Sequence, residues 1–330
     1  DIDIVDRHVK LADGSALAYD YLVIGLGGDT AFYNVPGAAD HSLPFRDLSH
    51  ARALQKQLET WTSTEALGHA LTLAIAGAGP SGVELACKLA DTLGDRADIH
   101  LIDRGDEILA SFQSESRTAA RKALSDRGVC LHLNSTVLEV GADFVRFQTS
   151  QVETMLPAIA TLWTAGSTVA PVVQKLPLAK NDLHQLDILP TLQTRDRPEI
   201  FALGDNAVGV DAEGNAIPAT AQAAFQQASY CAWNVWALAT ASEKRSPRPL
   251  LPFRYLALGE MLSLGADNAS LSGLGLSLDG PLGYVARRLV YLARLPSVEH
   301  QLRVGWHWMT QPLTQSLSQF WPQTTTESDR

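Results

Sequence analysis

Six residues, Gly77-Ala78-Gly79-Pro80-Ser81-Gly82, have the types and spacing to hold a diphosphate. They follow an apolar run, Leu71 to Ala76, and precede a helical pattern from Val83 to Leu93. In that context Gly77 permits the tight turn, Gly79 lets the backbone approach a pyrophosphate, and Gly82 lets helix and strand pack closely. The free N–H groups and positive dipole end of the helix then face the anion. Asp103 closes the next apolar run, where an acid binds a ribose 2′-hydroxyl and favours NADH. Arg104 follows and could instead meet a 2′-phosphate, so NADH and NADPH both remain open.

Further polar residues have roles of the same kind. Glu84 falls in the first turn of the helix, where a carboxylate suits the dipole and could also sit beside a nicotinamide and a flavin. Asp205 ends an apolar stretch, Glu199 to Asp205, where it is either a turn residue or an acceptor for sugar hydroxyls. Gln222 and Gln226 are one helical turn apart and share a face. Their neutral amides can bond quinone or flavin carbonyls without bringing a charge into an apolar site, or can simply meet solvent. Between 281 and 310, Arg287, Arg288, Arg294 and Arg303 stand against one acid, Glu299, interleaved with Leu282, Val285, Leu289, Tyr291 and Leu292 and followed by Trp306 and Trp308. This pattern fits an amphipathic helix at an anionic lipid surface, a dimer interface or core packing.

Several chemistries are absent from the pattern. The nine histidines show no ligand spacing, so no metal is expected, and there is no GxSxG, HExxH or P-loop. Three cysteines, Cys87, Cys130 and Cys231, lie far apart with no CxxC, which points to a reducing compartment. A net charge of −10 argues against nucleic acid. No apolar run is long enough for a membrane-spanning helix, and no signal peptide is visible.

The elements that must position these groups read as an α/β fold. A hairpin turning at Asp13-Gly14 leads to a strand, Tyr21 to Ile24, and the Gly25-Leu26-Gly27-Gly28 stretch; a loop with Pro36-Gly37 and Pro44 follows. Helices are expected over 47–60, 83–93, 115–127 and 218–238, the last opened by Pro218 and Thr220. Strands are expected over 71–76, 99–103, 129–133 and at the stretch 160–166, and this alternation predicts a doubly wound parallel sheet. Lys244 to Pro252 reads as a basic, proline-rich linker to an appended segment, 253–330.

The segments YDYLVIGLGG, AIAGAGPSGVELA, LWTAG, IFALGDNA and PATAQAAFQQASYCAWN resemble, in order and spacing, those of the type II NAD(P)H:quinone oxidoreductases. The C-terminal run from Pro252 to Pro296 is similar to the cyanobacterial and plastid branch, whose quinones include demethylphylloquinone. The resemblance implies two Rossmann-like three-layer domains of the FAD/NAD(P)-linked reductase type and a C-terminal membrane-associating segment. The implied divisions are residues 1–45 and 166–240 for FAD, 46–165 for NAD(P)H and 241–330 for the C-terminal domain. It further implies hydride transfer from NADH or NADPH to FAD and on to a quinone, demethylphylloquinone or a related naphthoquinone. Gly27, Gly166, Gly204, Asp205 and Ala221 would contact cofactor, and Glu84, Gln222 and Gln226 would serve the chemistry. Peripheral contact through 281–310 with the cytoplasmic or stromal face of a thylakoid or plasma membrane follows, with a homodimer open. The family's first GxGxxG, for the ADP half of FAD, is expected within about a hundred residues that this sequence does not contain, so the 330-residue chain by itself is expected to hold FAD weakly. The rivals are a flavin-dependent disulfide reductase, which needs a close cysteine pair, and an NAD(P)H-binding module without redox activity.

Overall fold

The computed structural model describes residues 1–63, 70–241, 248–273 and 275–320. Residues 244–247 of the expected basic linker lie outside the described residues.

The run Leu71–Ala76 is the central strand of a five-stranded parallel sheet, ordered Ser42–Pro44, Ala160–Trp163, Leu71–Ala76, Ala97–Ile102, Cys130–His132. Its apolar character, interrupted only at Thr72, follows from burial on both faces. Leu73 and Ile75 point to one side, into a core with Val83, Cys87 and Leu89 of the helix Pro80–Leu93. Ala74 and Ala76 point to the other side, into a core with Val145, Phe147 and Trp163. Period-two alternation thus splits one apolar run between two layers. The second layer is an antiparallel sheet, Ser135–Val140, Phe144–Thr149 and Val152–Pro157, which the sequence reading passed over.

The second body pairs Leu22–Ile24 in parallel with Ile200–Ala202. Ile24, Phe201 and Cys231 of the helix Ala221–Ala239 pack together at its centre. Two short antiparallel strands, Gly28–Thr30 and Ser167–Val169, carry the chain between the bodies.

The structure corrects three expectations. Residues 2–18 form a three-stranded meander rather than a hairpin alone. The proline-containing loop holds the strand Ser42–Pro44, whose register against Thr161–Trp163 makes it an edge of the nucleotide sheet; proline is tolerated at such an edge. The C-terminal segment is no mere appendage. Its strands Glu260–Ser263, Ala269–Gly273 and Leu276–Leu278 form a sheet, and Leu262 with Leu264 joins the core of the nucleotide body. The helix Gly280–Ala293 crosses this sheet at Gly283, where a β-carbon would lie 2.3 Å from the Ala269 carbonyl oxygen. The last helix, Val298–Phe320, follows it.

Candidate active site

The glycine loop has the geometry its spacing predicts. Gly77 has φ +104°, and a β-carbon there would lie 2.8 Å from the Ala165 nitrogen. A β-carbon on Gly82 would lie 1.8 Å from the Gly77 carbonyl oxygen, so strand and helix touch there. Gly79 caps the helix Pro80–Leu93, and a β-carbon on it would meet nothing within 4 Å. The loop therefore presents open space above Gly79, as a close-approaching diphosphate requires.

Asp103 reaches back into this loop. Its Oδ2 accepts from the Ala78 N–H at 2.6 Å and its Oδ1 from the Gly105 N–H at 2.7 Å. Each oxygen keeps a further acceptor position for a ribose hydroxyl. A cavity of about 380 Å³ opens here, bordered by Gly77, Gly79, Asp103, Arg104, Thr164 and Gly166, at the carboxyl ends of the central strands.

Tyr33 also borders this cavity and had no sequence signature. It adopts φ 50°, a conformation uncommon for a residue with a side chain. Its hydroxyl oxygen would lie 1.9 Å from any β-carbon on Gly166, so that glycine makes room for the ring. The Arg104 guanidinium lies 5.8 Å from the ring centre. Only the folded chain brings 33, 104 and 166 together.

Two further cavities share lining residues with this crevice or with each other. A second cavity, about 310 Å³, shares Trp163, Thr164 and Gly166 with the first and adds Thr30, Phe45, Arg46 and Ser81. A third, about 540 Å³, shares Phe45 and Ser81 with the second and reaches the C-terminal helices. Glu84 borders this third cavity. Its Oε1 accepts from the Ser263 N–H at 2.7 Å, and burial raises its carboxyl above the usual range, partly offset by that N–H and by Arg287 and Lys88. The helix dipole alone does not account for Glu84, because the C-terminal sheet also engages it.

The other expected cofactor residues meet at the junction of the two bodies. Gly27, φ +67°, faces open space, and the buried Asn206 amide, with its oxygen toward the Leu26 and Gly27 N–H groups, bonds both at 2.9 Å. The Gly204 N–H donates to Gln227 Oε1 at 2.8 Å. Asp205 Oδ2 lies 3.2 Å from Arg46, and the carboxylate is about one-third exposed. Beside it lies a cavity of about 290 Å³ bordered by Ser167, Thr168, Gln185 and Ala219. Ala221 begins its helix, exposed, with Thr220 capping the Ala223 N–H. A helix N-terminus, an accessible carboxylate and open space over Gly27 fit the flavin end of an FAD.

Two expectations gain structural detail. Gln222 and Gln226 share a face, and their amides hold the segment 255–259 while each keeps one N–H free of those bonds. Gln222 accepts from Tyr255 O–H at 2.9 Å and the Leu258 N–H at 3.1 Å, and donates to the Gly259 carbonyl. Gln226 bonds both backbone groups of Leu256. The arginines of 281–310 also divide. Arg287 and Arg288 turn inward to border the third cavity with Trp308, while Arg303 and Trp306 are exposed. The cysteines are all free, and burial pushes the Cys87 and Cys231 thiols up to about 11, far from a reactive thiolate.

Residues 1–228 match the family model described as pyridine nucleotide-disulphide oxidoreductase. Demethylphylloquinone reductase NdbB of Synechocystis sp. is 48% identical over 316 residues, which span 94% of this chain and 76% of that protein. The alternative NAD(P)H-ubiquinone oxidoreductase C1, chloroplastic/mitochondrial, of Arabidopsis thaliana is 35% identical, across 96% of this chain and 64% of that protein. Among solved structures, NDH2 from Plasmodium falciparum in complex with NADH superposes with a TM-score of 0.80, at 16% identity over 92% of this chain and 80% of that one.

Proposed function

This chain belongs to the pyridine nucleotide-disulphide oxidoreductase family, among the type II NAD(P)H:quinone oxidoreductases, and from that premise we propose that it reduces a membrane quinone with NAD(P)H, using FAD as the carrier. The observation that carries the proposal is the set of neighbouring cavities, sharing lining residues, that runs from the glycine loop, past Phe45 and Ser81, to Glu84 and the C-terminal helices. A nucleotide-binding module without redox activity has no use for the cavities beyond the glycine loop.

In this reading the N–H groups of the Gly77–Gly82 loop hold the pyrophosphate of NAD(P)H, and Asp103 holds its ribose. Gly27, Gly166, Gly204, Asp205 and the helix end at Ala221 hold the flavin. Bound FAD supplies the two-electron chemistry that joins a hydride donor to a quinone. Glu84, whose carboxyl burial shifts above the usual range, borders the third cavity as a candidate proton donor. Gln222 and Gln226 are positioning residues that lay 255–259 along the helix. The similarity to the Synechocystis reductase favours demethylphylloquinone or a related naphthoquinone as substrate.

No helix among the described residues is long and apolar enough to cross a membrane. Leu282, Val285 and Leu289 on one helix, and Val298, Leu302 and Trp306 on the next, are exposed at helical spacing. They support peripheral attachment to a membrane through residues 281–310, and the cytoplasmic or stromal face remains part of the proposal.

The test is stopped-flow absorbance on the natural full-length polypeptide with FAD. NADH or NADPH bleaches the flavin, and a naphthoquinone restores it faster than a benzoquinone does. A flavin that bleaches but is reoxidised by no quinone would sink the assignment.

A further inference from the structure

His100 and His132 stand beside the strand end that carries Asp103. His100 lies on the strand Ala97–Ile102 and His132 on its parallel neighbour, Cys130–His132, both half-buried. The ring planes are 12° apart, and His100 Nδ1 lies 2.9 Å from His132 Nε2. Such a bond needs one nitrogen that carries a hydrogen and one that does not. The pair can take one proton on an outer nitrogen and keep the bond. With two, both facing nitrogens carry hydrogens and the positive rings repel, so they must part.

The surroundings offset one such charge at most. The antiparallel layer presents Val137, Val145 and Phe147 to this face of the sheet, and the Phe147 ring lies 4.9 Å from that of His132. The central strand presents Ala74, and the edge strand Cys130, in register with His100. Arg146 alternates with Val145 and Phe147 and pairs with Glu139 and Glu153 on the far side of that layer. Asp98, on the strand of His100, is the acid whose charge reaches the pair. Burial lowers both imidazole pKa values, Asp98 opposing the shift of His100 and His100 adding to that of His132.

The backbone ties this pair to the nucleotide site. The His132 carbonyl accepts from the Asp103 N–H at 2.9 Å, and the Asp103 carbonyl accepts from the Ser135 N–H at 2.8 Å. Asp103 Oδ2 in turn accepts from the Ala78 N–H of the glycine loop at 2.6 Å. Two hydrogen bonds thus lead from His132 to the loop.

We infer that His100 and His132 are positioning residues for Asp103, and that double protonation of the pair, by protons from water, parts the two strand ends and weakens NAD(P)H binding; this rests on the reading of the glycine loop as the nucleotide site. Above the ordinary imidazole value of about 6.5 the pair is neutral, His132 stays in register with Ile102, and Asp103 holds the loop. The nucleotide binds the form with neutral rings, so affinity is full above that value and is lost as pH falls below it. A pair that served stability alone would lower the melting temperature in acid and leave the affinity of the folded protein unchanged.

The test is calorimetric titration of the full-length, FAD-loaded protein with ADP-ribose at about pH 8 and about pH 5.5, with far-UV circular dichroism to confirm folding at both. ADP-ribose carries the diphosphate and both sugars, and unlike NADH it survives acid. The variants are His100→Asn and His132→Gln, whose amides stand near the bonded Nδ1 and Nε2 and do not titrate. The wild-type Kd is expected to rise about tenfold between the two pH values, the weakening of charge-assisted bonds in the loop. In either variant the pair can no longer hold two charges, and Kd should change by less than about twofold over the same range. If one variant does not fold, the other carries the test. A wild-type Kd that is the same at both pH values overturns the inference, and so does a rise in acid that both variants reproduce. A wild-type protein that binds no ADP-ribose at about pH 8 fails at the earlier step, in the assignment of the nucleotide site.

Discussion

Glu84 Oε1 accepts a 2.7 Å hydrogen bond from the backbone N–H of Ser263, so one carboxyl joins the nucleotide helix to the C-terminal sheet. Burial raises its pKa, and the Ser263 N–H and Arg287 only partly offset this. The protonated form therefore persists to higher pH than it does in a solvated carboxyl. Any step that takes its proton slows as pH rises through the raised pKa. Glu84→Gln keeps an acceptor for Ser263 and removes the titration, so the alkaline limb of quinone reduction should flatten, at a lower overall rate. The stability sign runs the same way. A raised native pKa contributes stability that is fully present below the unfolded value and lost as pH rises through the native one, so the glutamine variant should lose less stability between acid and neutral pH. Parallel pH profiles for the two proteins would rule out Glu84 as the proton source.

Gly79 and Gly82 separate binding from folding. Gly79→Ala meets no atom within 4 Å and has an ordinary φ of −73°, so the variant should fold with an unchanged melting temperature. Its methyl group projects into the space where the diphosphate approaches, and NADH affinity should fall at least about tenfold, since lost N–H contacts to an anion are worth roughly 1.5–3 kcal/mol. Gly82→Ala places a β-carbon 1.8 Å from the Gly77 oxygen and should destabilise by about 3 kcal/mol through overpacking. Calorimetry with and without NADH distinguishes the two. Equal effects on melting would mean that Gly79 is structural.

The difference between these glycines also shows what was legible in the sequence. The GxGxxG pattern, the run Leu71–Ala76 and Asp103 are local in the chain, so spacing alone exposes them. The strand Ser42–Pro44 was missed because its pairing with Thr161–Trp163 is remote and its proline argues against a strand. Tyr33 was missed for the same reason, since its partner Gly166 lies far along the chain. Gln222 and Gln226 were found, but their partners at 255–259 come from a segment whose path no periodicity reveals.

Gln222→Ala tests whether that glutamine is structural. The substitution leaves the Tyr255 hydroxyl and the Leu258 N–H without their acceptor. A cost of roughly 1–3 kcal/mol is expected, seen as a lower denaturant midpoint, with earlier proteolysis near 255–259. A higher KM for quinone with no change in midpoint would instead mean direct contact with substrate.

His100 Nδ1 and His132 Nε2 lie 2.9 Å apart on adjacent strands, with rings stacked at 5.2 Å and Phe147 against His132. Burial lowers both imidazole pKa values, and His132 is lowered further by His100, while Asp98 partly offsets the shift of His100. The native state then binds fewer protons than the unfolded chain, so stability rises with pH and is lost as pH falls below the ordinary imidazole value of about 6.5. His132→Phe should make the decline in melting temperature between about pH 8 and about pH 5.5 shallower. An unchanged slope would locate the acid sensitivity elsewhere.

Attachment to lipid should depend on shape more than on charge. Arg287 and Arg288 border a cavity and Arg294 lies 5.9 Å from the ring of Phe225, which leaves Arg303 as an openly exposed arginine on these two helices. Each basic residue at an anionic surface contributes about 1 kcal/mol and is screened by salt. By contrast, Leu282 and Leu302 are 73% and 70% exposed, and each would bury roughly 1.5–3 kcal/mol of apolar surface in the acyl boundary. Leu282→Ser with Leu302→Ser should therefore weaken vesicle binding by more than about a hundredfold while leaving the melting temperature unchanged. Raising salt to about 0.5 M should weaken it by less than about tenfold. Co-sedimentation with vesicles of defined anionic content measures both, and a salt effect larger than that of the leucine changes would mean that charge, not the apolar stripe, holds the protein to the bilayer.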